Sequence, residues 1–430
     1  MNTFVNSKHN NNNIAYENQK TYLSGNAHDG IRSAGTKVCG GDISCLTDNE
    51  SKKAQYLDYD GKACPALDLF KQEKLNAMRV RLFVNPSDYP NNDPNCCQTL
   101  DYVKALGKRI KDAGFKLMLD FHYSDTWADP AKQWTPKAWE TLSDEELYTK
   151  IYDYTKDVLQ QMKDAGATPD FIQTGNEISY GMLWGKQGSS NLKKCYLGSN
   201  ANWSRFTTLL KNAGKACREI CPDAKIILHT ERATQTNVLT NFYDKMKTDN
   251  VDYDIIGLSY YPVWHNTIST LETAIKSLES RYTDKNIMIV EVGYAYSWEY
   301  KGDYNLYSTY TASEDGQKAF TDDLITMLNK HDSVNGLFWW WMEYNPYPWA
   351  DTQMNDWWYA PLYDGNTGKP LAAMSSLKDF LGEESGIHGI EADDSDVSYN
   401  NVWTTLNGIR TAKPTRPGLY IHNGKKVVVR

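Results

Sequence analysis

The sequence predicts an α/β fold in which eight parallel strands close into a (β/α)8 barrel, followed by a small β appendage. Short apolar runs alternate with amphipathic helical stretches, and consecutive runs begin about 43 residues apart, which suits one βα unit with its loops. Strands that are apolar on both faces and separated by helices indicate a parallel sheet covered by its crossovers. The eight runs are Lys37–Ser44, Met78–Val84, Lys116–Phe121, Asp170–Thr174, Lys225–His229, Asp254–Tyr260, Ile287–Val292 and Leu337–Trp341.

An open, doubly wound sheet is the alternative topology for this alternation. It normally carries a glycine-rich phosphate turn after an early strand, and the sequence has none.

The helical stretches carry their own start and stop signals. Ser143 with Glu146 predicts a capping box before an apolar stripe that ends at Gly166, and Ser269 with Glu272 repeats the device. These signals place helices between the strands.

The chain divides by composition into four segments. Residues 1–28 are rich in asparagine and lack periodicity, so we expect a flexible leader. The barrel is expected over residues 29–383, and an acidic linker over 384–397. Residues 398–430 hold four short predicted strands at 402–406, 409–412, 418–421 and 425–429, with Asn-Gly pairs for two hairpin turns. The tail is therefore predicted to be a small β unit.

Composition excludes several classes of protein. The 46 Lys and Arg residues stand against 54 Asp and Glu residues, and the resulting net charge of -8 would repel a phosphate backbone, so no nucleic-acid partner is expected. No uncharged apolar stretch is long enough for a membrane-spanning segment. The eight cysteines are too sparse for a disulfide scaffold, and we expect mostly buried thiols, with one or two bridges if the protein is exported.

Two glutamates end predicted strands that face each other across the barrel. Glu177 ends the fourth strand and Glu291 the seventh, at the edge where (β/α)8 barrels build their active sites. A carboxylate ending an apolar strand is costly unless it is exposed at the barrel mouth or paired. Two facing carboxylates are the minimum equipment of a glycosidase, one as the acid and the other as nucleophile or base. The alternative is that each is only an exposed strand end or a salt-bridge partner.

Polar residues on the second and fourth strands accompany these glutamates. Asn176 precedes Glu177 and points to the opposite side of a regular strand, so contact with a sugar requires a bulge or twist there. Arg79 and Arg81 share one face of the second strand. An inward arginine near the mouth would hold Glu291 ionised, whereas an ordinary ion pair at the barrel floor remains open for Arg79.

The loop after the third strand is dense in hydrogen-bonding groups. It holds His122, Asp125, Trp127 and Asp129. Metal ligation is one interpretation, although no second histidine lies at ligand spacing, and a hydrogen-bonded histidine in a polar loop is the other. No metal site is therefore predicted.

Aromatic residues follow the sixth and eighth strands. Tyr260 and Trp264 lie in Ser259-Tyr-Tyr-Pro-Val-Trp264, and Trp340 lies in the run Trp339-Trp-Trp341. Indole faces offer the apolar side of a pyranose ring a flat platform. Three consecutive tryptophans cannot all point inward, so at least one packs against a helix.

These segments together resemble glycoside hydrolase family 53, the endo-β-1,4-galactanases, within the clan of retaining (β/α)8 glycosidases. The resemblance covers about residues 38 to 345. The Asn-Glu at the fourth strand and the Glu at the seventh are shared by the clan and indicate the mechanism, whereas Ser124-Asp-Thr-Trp-Ala-Asp-Pro130 is particular to the galactanases and indicates the substrate. The other matching segments are Gly41-Asp-Ile-Ser44, Arg79-Val-Arg-Leu-Phe-Val-Asn-Pro86, Gly175-Asn-Glu-Ile-Ser179, Ser259-Tyr-Tyr-Pro262 and Val290-Glu-Val292.

The resemblance implies a retaining endo-β-1,4-galactanase with Glu177 as general acid/base and Glu291 as nucleophile. It implies a substrate-binding set made of Arg81, His122, Asp125, Trp127, Asp129, Asn176, Tyr260, Trp264 and Trp340. Another clan glycosidase acting on mannan, xylan or glucan is the nearest alternative. A catalytically silent carbohydrate-binding barrel is the alternative from a different class.

The resemblance also sets expectations for cofactors and location. No cofactor is expected; some bacterial relatives hold a calcium ion between their last barrel loops, but no oxygen-ligand loop here indicates one. The partner is a polysaccharide, and we expect a monomer. The end of the chain resembles the carboxyl-terminal tails of secreted Bacteroidetes proteins, so we expect a secreted or cell-surface protein from which a signal peptide has been removed.

Overall fold

A computed structural model describes residues 35–88, 93–196, 199–349, 360–382, 403–405, 410–411, 413–414, 418–422 and 425–429. The predicted leader (1–28), the predicted linker (384–397) and both Asn-Gly turns lie outside these residues. Within the described residues the chain divides into two compact units, one ending at Gly382 and the other beginning at Glu383.

The first unit is a closed barrel of eight parallel strands, which confirms the predicted fold class. The strands follow chain order, and the first pairs with both the second and the eighth. They are Val38–Asp42 (β1), Ala77–Leu82 (β2), Lys116–Phe121 (β3), Phe171–Thr174 (β4), Lys225–Thr230 (β5), Ile255–Tyr260 (β6), Asn286–Val292 (β7) and Val334–Trp339 (β8).

Helices lie between consecutive strands and cover the outer face of the barrel. The capping box predicted at Ser143 and Glu146 is present. The one predicted at Ser269 is wrong: the helix begins earlier, and the hydroxyl of Thr267 accepts from the backbone N–H of Thr270. The helices are Leu46–Ser51 (α1), Ala66–Gln72 (α2), Leu100–Asp112 (α3), Asp144–Asp164 (α4), Trp203–Ile220 (α5), Thr236–Thr248 (α6), Pro262–His265 (α7), Ile268–Arg281 (α8), Glu314–Leu328 (α9) and Ala372–Ser376 (α10).

The barrel interior changes character along its axis. An apolar cluster fills the amino-terminal part of the interior: Val38, Ala77, Met118, Phe171, Ile227, Ile255, Met288, Val290 and Phe338. Nearer the carboxyl ends of the strands, the inward positions are polar and buried: Asp42, Arg79, Asp120, Gln173, His229, Ser259 and Glu291. Buried polar groups need partners, so this layer must be a connected network, and it lies at the edge where the active site is expected.

The backbone leaves the regular β conformation after β4 and after β8, and also after β3, where Tyr123 has φ +48°. After β4, Gly175 has φ +108° and Glu177 has φ +49°; a Cβ at Gly175 would lie 2.7 Å from Cγ2 of Ile178, so only glycine fits. After β8, Trp341 has φ +55°. Positive φ is uncommon outside glycine and concentrates at functional sites. These departures re-aim the residues at these strand ends.

The second unit contains a four-stranded antiparallel sheet in the order β10-β9-β11-β12. Its strands are Trp403–Thr405 (β9), Arg410–Thr411 (β10), Gly418–His422 (β11) and Lys425–Val429 (β12), in the four predicted places. The rings of Trp403 and His422 stack with their centroids 4.1 Å apart.

The eight cysteines are free thiols, seven of them buried and Cys97 half-buried. The buried thiols agree with the sequence-based expectation, whereas the conditional bridges do not occur among the described residues. In the same residues no helix has the length and apolar character needed to cross a membrane.

Candidate active site

Glu177 and Glu291 lie together in the barrel mouth. Glu177 follows β4 and Glu291 lies on β7, and a carboxylate oxygen of each lies within 4.8 Å of one from the other. The positive φ of Glu177 turns its side chain into the barrel, where a continued β conformation would alternate it with Asn176. The sequence-based expectation that the two carboxyl groups face each other is therefore met in the geometry.

Arg79 holds one of these two carboxylates. Its guanidinium is fully buried, and Nη2 lies 2.9 Å from Oε1 of Glu291 and 2.7 Å from Oδ2 of Asp120, while Nη1 lies 2.8 Å from Oδ2 of Asp42. The hydroxyl of Tyr261 donates to the other oxygen of Glu291 at 2.9 Å. The structure combines the two interpretations left open for Arg79, because its guanidinium contacts Glu291 and also forms buried ion pairs with Asp42 and Asp120.

Glu177 has different surroundings. Its Oε1 lies 2.7 Å from the hydroxyl oxygen of Ser259, and its side chain is partly exposed to the cavity. The group lies deep in the barrel mouth and faces the charges of Glu291 and Glu231, so its pKa is raised well above the usual range by burial first and by those carboxylates second. Glu177 is thereby suited to hold a proton.

The pKa of Glu291 is also raised by burial, but the cation of Arg79 and the hydrogen bond from Tyr261 oppose that shift. The same arginine, together with His122, outweighs the burial of Asp120 and lowers its pKa to about 2. Because Glu291 has the cationic partner, the negative charge of the pair belongs on Glu291 and the proton on Glu177. This is the division of protonation that a retaining pair requires.

Asn176 is fixed from three sides. Its Nδ2 donates to the carbonyl of Ala128 at 2.8 Å, and its Oδ1 accepts from Nη2 of Arg79 at 3.0 Å. The side chain of Gln133 donates to its backbone carbonyl at 2.7 Å. The irregular strand end supplies the twist that the sequence argument required for Asn176 to reach the mouth.

A cavity of about 920 Å³ opens above the carboxylates. Aromatic rings and polar groups from different loops line it together, as in sugar-binding clefts. Six predicted residues line it besides Asn176: Trp127, Asp129, Glu177, Trp264, Glu291 and Trp340. Trp341, Tyr261 and Glu231 also line it, and they were not predicted.

Arg81 does not line the cavity. Its guanidinium is buried, pairs with Asp42 at 2.8 Å, and lies 4.7 Å from the ring centre of Trp127 and 4.8 Å from that of Trp340. The contact distances fit cation–π stacking. Arg81 therefore supports the two predicted sugar platforms from behind, which corrects its expected direct contact with the sugar.

His122 and Asp125 shape the loop beneath the platforms instead of facing the cavity. Nδ1 of His122 accepts from the backbone N–H of Ala128 at 3.0 Å. The carboxylate of Asp125 accepts from the backbone N–H groups of Asn85 and Lys137. Both side chains are buried, so the structure gives them loop-holding contacts where the resemblance implied substrate contacts.

Tyr260 lies outside the cavity, and its neighbour Tyr261 takes the place expected for it. The hydroxyl of Tyr260 donates to the carbonyl of Asn266, and its ring packs against Phe320 of α9. Alternation along β6 explains the difference: Ser259 points inward, so Tyr260 points outward and Tyr261 inward again. The register shift between Leu258 and Ser259 is the local irregularity beside this site.

Among the described residues, one group of three potential metal ligands comes together: Glu177, His229 and Glu291. A calcium ion takes six to eight oxygen ligands, and this group offers two carboxylates beside a buried arginine cation. The set therefore does not fit calcium, and its hydrogen bonds are those of an acid–base site.

A closed barrel with two facing carboxylates at the ends of β4 and β7, one held by arginine and the other able to keep a proton, beneath an aromatic cavity, defines a glycoside hydrolase. The family model described as glycosyl hydrolase family 53 matches residues 38–377. The chain belongs to that family.

Relatives and solved structures agree with this assignment. The chain is 33% identical over 332 residues to the arabinogalactan endo-beta-1,4-galactanase of Cellvibrio japonicus, covering 74% of this chain and 83% of that protein. The catalytic domain of a family 53 enzyme from Ignisphaera aggregans superposes with a TM-score of 0.70 at 31% identity over 80% of this chain and 96% of that one. A fungal beta-1,4-galactanase gives 0.68 at 26% identity, over 80% and 99%.

Proposed function

We propose that the chain is a retaining endo-β-1,4-galactanase that hydrolyses β-1,4-galactan, the backbone of type I arabinogalactan and of pectin side chains. The observation that supports the reaction best is the approach of Glu177 and Glu291 to within 4.8 Å, because inverting enzymes keep their carboxyl groups about 6.5–9.5 Å apart to admit a water molecule. The substrate is supported by the names of the relatives, which act on arabinogalactan or β-1,4-galactan.

In the first step, Glu291 attacks the anomeric carbon while Glu177 donates its proton to the departing glycosidic oxygen. Arg79 and Tyr261 hold both oxygens of Glu291, so the attacking carboxylate is fixed in orientation before the sugar arrives. The bond between the sugar and the leaving chain breaks, and a glycosyl ester forms on Glu291.

In the second step, Glu177 is a carboxylate and removes a proton from the incoming water. The water attacks the anomeric carbon, and the ester to Glu291 breaks. Two displacements restore the original β configuration. Trp127, Trp264 and Trp340 offer aromatic surface to sugars on either side of the cleaved bond, and Asn176 and Asp129 offer polar groups to their hydroxyls.

We propose that hydrolysis needs no cofactor, because two carboxylates supply both the acid and the nucleophile. We also propose that the enzyme acts as a monomer, since the described residues of a single chain already bring both carboxylates and the aromatic platforms to one cavity, and that it is secreted or bound at the cell surface. The last proposal is supported by the substrate, which is a polymer too large to enter a cell.

A panel of polysaccharides tests the substrate. Reducing ends should form on β-1,4-galactan and not on β-mannan, xylan or β-glucan, and Glu177→Gln should abolish them while retaining binding. Preferred turnover of mannan, xylan or glucan would support the alternative clan activity. Binding to galactan with no turnover by the unaltered, folded chain would support the silent barrel.

A further inference from the structure

Ser259 stands between Glu177 and His229 in a continuous row of hydrogen-bonded side chains. Its hydroxyl oxygen lies 2.7 Å from Oε1 of Glu177 and 2.8 Å from Nε2 of His229. Ser259 is fully buried on β6. Oε2 of Glu291 lies farther away, at 3.5 Å. A serine hydroxyl has a single proton to donate, so it can donate to only one of its two close neighbours, Glu177 and His229.

The hydrogen bonds of Asn176, at the far end of the row, determine whether Ser259 donates to Glu177 or to His229. Asn176 donates from Nδ2 to the carbonyl of Ala128, so its Oδ1 is the atom that faces Arg79 at 3.0 Å and Nδ1 of His229 at 3.0 Å. An amide oxygen only accepts hydrogen bonds. Nδ1 of His229 must therefore carry a proton and donate it to Asn176.

The surroundings of His229 favour the neutral imidazole. The side chain is fully buried, and burial together with the cation of Arg79 lowers its pKa well below the usual range. A neutral ring protonated at Nδ1 has a lone pair at Nε2. The backbone N–H of Glu177 also lies near Nδ1 of His229, at 3.4 Å, but that contact is longer than the one to Asn176. If Nδ1 accepted a hydrogen bond from Glu177, it would carry no proton, and its lone pair would face Oδ1 of Asn176, which is also an acceptor.

We propose that Ser259 donates its proton to His229 and accepts one from the protonated carboxyl of Glu177. The row then runs in one direction, from Glu177 through Ser259 and His229 to Asn176, and ends on the oxygen that Arg79 also contacts. Ser259 and His229 are positioning residues for the acid/base, and this role rests on the catalytic assignment proposed above.

The direction of the row matters because it favours one protonation state of Glu177. A carboxylate at Glu177 would face a lone pair of Ser259, whereas the acid form is satisfied. The resting enzyme therefore holds the proton it must donate, and the carboxylate left after the first step is a stronger base for water. The titratable groups that face Glu177 from neighbouring elements are Asp129, His229, Glu231, Tyr261 and Glu291.

The tautomer of His229 tests the proposal in the unaltered, resting enzyme without any substrate. The eight histidines can be observed by nitrogen-15 NMR of their side chains, and His229 is identified by the signal that disappears in His229→Gln. We expect a neutral ring protonated at Nδ1 between pH 5 and pH 7. A ring protonated at Nε2 would donate to Ser259, reverse the row and overturn the proposal, whether or not the enzyme cleaves galactan.

Ser259→Ala supplies a second, kinetic test. Removing the acceptor destabilises the acid form of Glu177, so the basic limb of kcat/KM should move to lower pH, with a loss of about five- to tenfold at the wild-type optimum. Galactosides with leaving groups that depart unprotonated should lose less. Ser376→Ala, which removes another buried hydroxyl, should change neither limb. A basic limb that stays in place or moves to higher pH in Ser259→Ala would contradict the proposal.

Discussion

Nη2 of Arg79 lies 2.9 Å from Oε1 of Glu291, inside a barrel where both side chains are buried. A buried cation beside one carboxylate of a facing pair decides which of the two carries the charge. The pair thus becomes unequal before any sugar binds, with Glu291 ready to attack and Glu177 ready to donate.

Arg79→Lys should move the acidic limb of the pH profile to higher pH. Arg79 lowers the pKa of Glu291 against the effect of burial, so a lysine that cannot reach all its partners leaves Glu291 harder to ionise. Activity at low pH should fall most, with an overall loss on the order of 100-fold. The measurement is kcat/KM against pH, with Arg109→Lys, an arginine paired with Glu50 away from the cavity, as the control. An unchanged acidic limb in folded Arg79→Lys would count against the pairing.

The neighbours Tyr260 and Tyr261 form a matched pair of variants. Tyr261→Phe removes the hydrogen bond to Glu291, and kcat should fall about 10- to 100-fold with the fold intact. Tyr260→Phe removes a hydrogen bond to a backbone carbonyl, so it should cost about 1 kcal/mol of unfolding free energy and leave kcat unchanged. Kinetics of both variants, with thermal unfolding, check this. A loss of kcat in Tyr260→Phe with unchanged kcat in Tyr261→Phe would place Tyr260, and not Tyr261, in the active site.

Tyr260 and Tyr261 illustrate which features of the site can be predicted from the sequence and which cannot. Strand order and the two glutamates followed from apolar runs and strand ends, because a barrel imposes both. The family resemblance points to Tyr260, whereas alternation counted from Ser259 points to Tyr261. The sequence leaves the partner of Arg79 open and does not predict that Arg81 lies behind the tryptophans, because it gives the face of a strand but not how far a long side chain reaches. His229 gave no signal, since its role depends on Asn176 and Ser259 from other strands.

Trp264→Ala should weaken substrate binding more than it slows the chemistry. Trp264 lines the cavity, and loss of an aromatic platform costs about 1–3 kcal/mol by analogy with base stacking. KM for galactan should therefore rise at least fivefold. Trp139→Phe, in a buried turn outside the cavity, should leave KM unchanged. Equal KM values for Trp264→Ala and the unaltered enzyme would place Trp264 outside the substrate path.

Deleting residues 383–430 should leave hydrolysis of galactan in solution nearly unchanged. The second unit begins at Glu383, while the residues that line the cavity lie between Asp93 and Trp341. Initial rates of the full and shortened chains, with circular dichroism to confirm folding, make the comparison. A large loss of kcat in a folded truncation would show that the tail contributes to the site.

The anomeric configuration of fresh product tests the central claim, that Glu177 and Glu291 act as a retaining pair on β-1,4-galactan. Proton NMR can follow the anomeric signals of galacto-oligosaccharides in the first minutes of hydrolysis, before mutarotation equilibrates them. The separation of the two carboxylates, within 4.8 Å between their nearest oxygens, leaves no room for a water molecule on the nucleophile's side and requires two displacements. The account predicts that the β-anomer forms first. Initial formation of the α-anomer would contradict it.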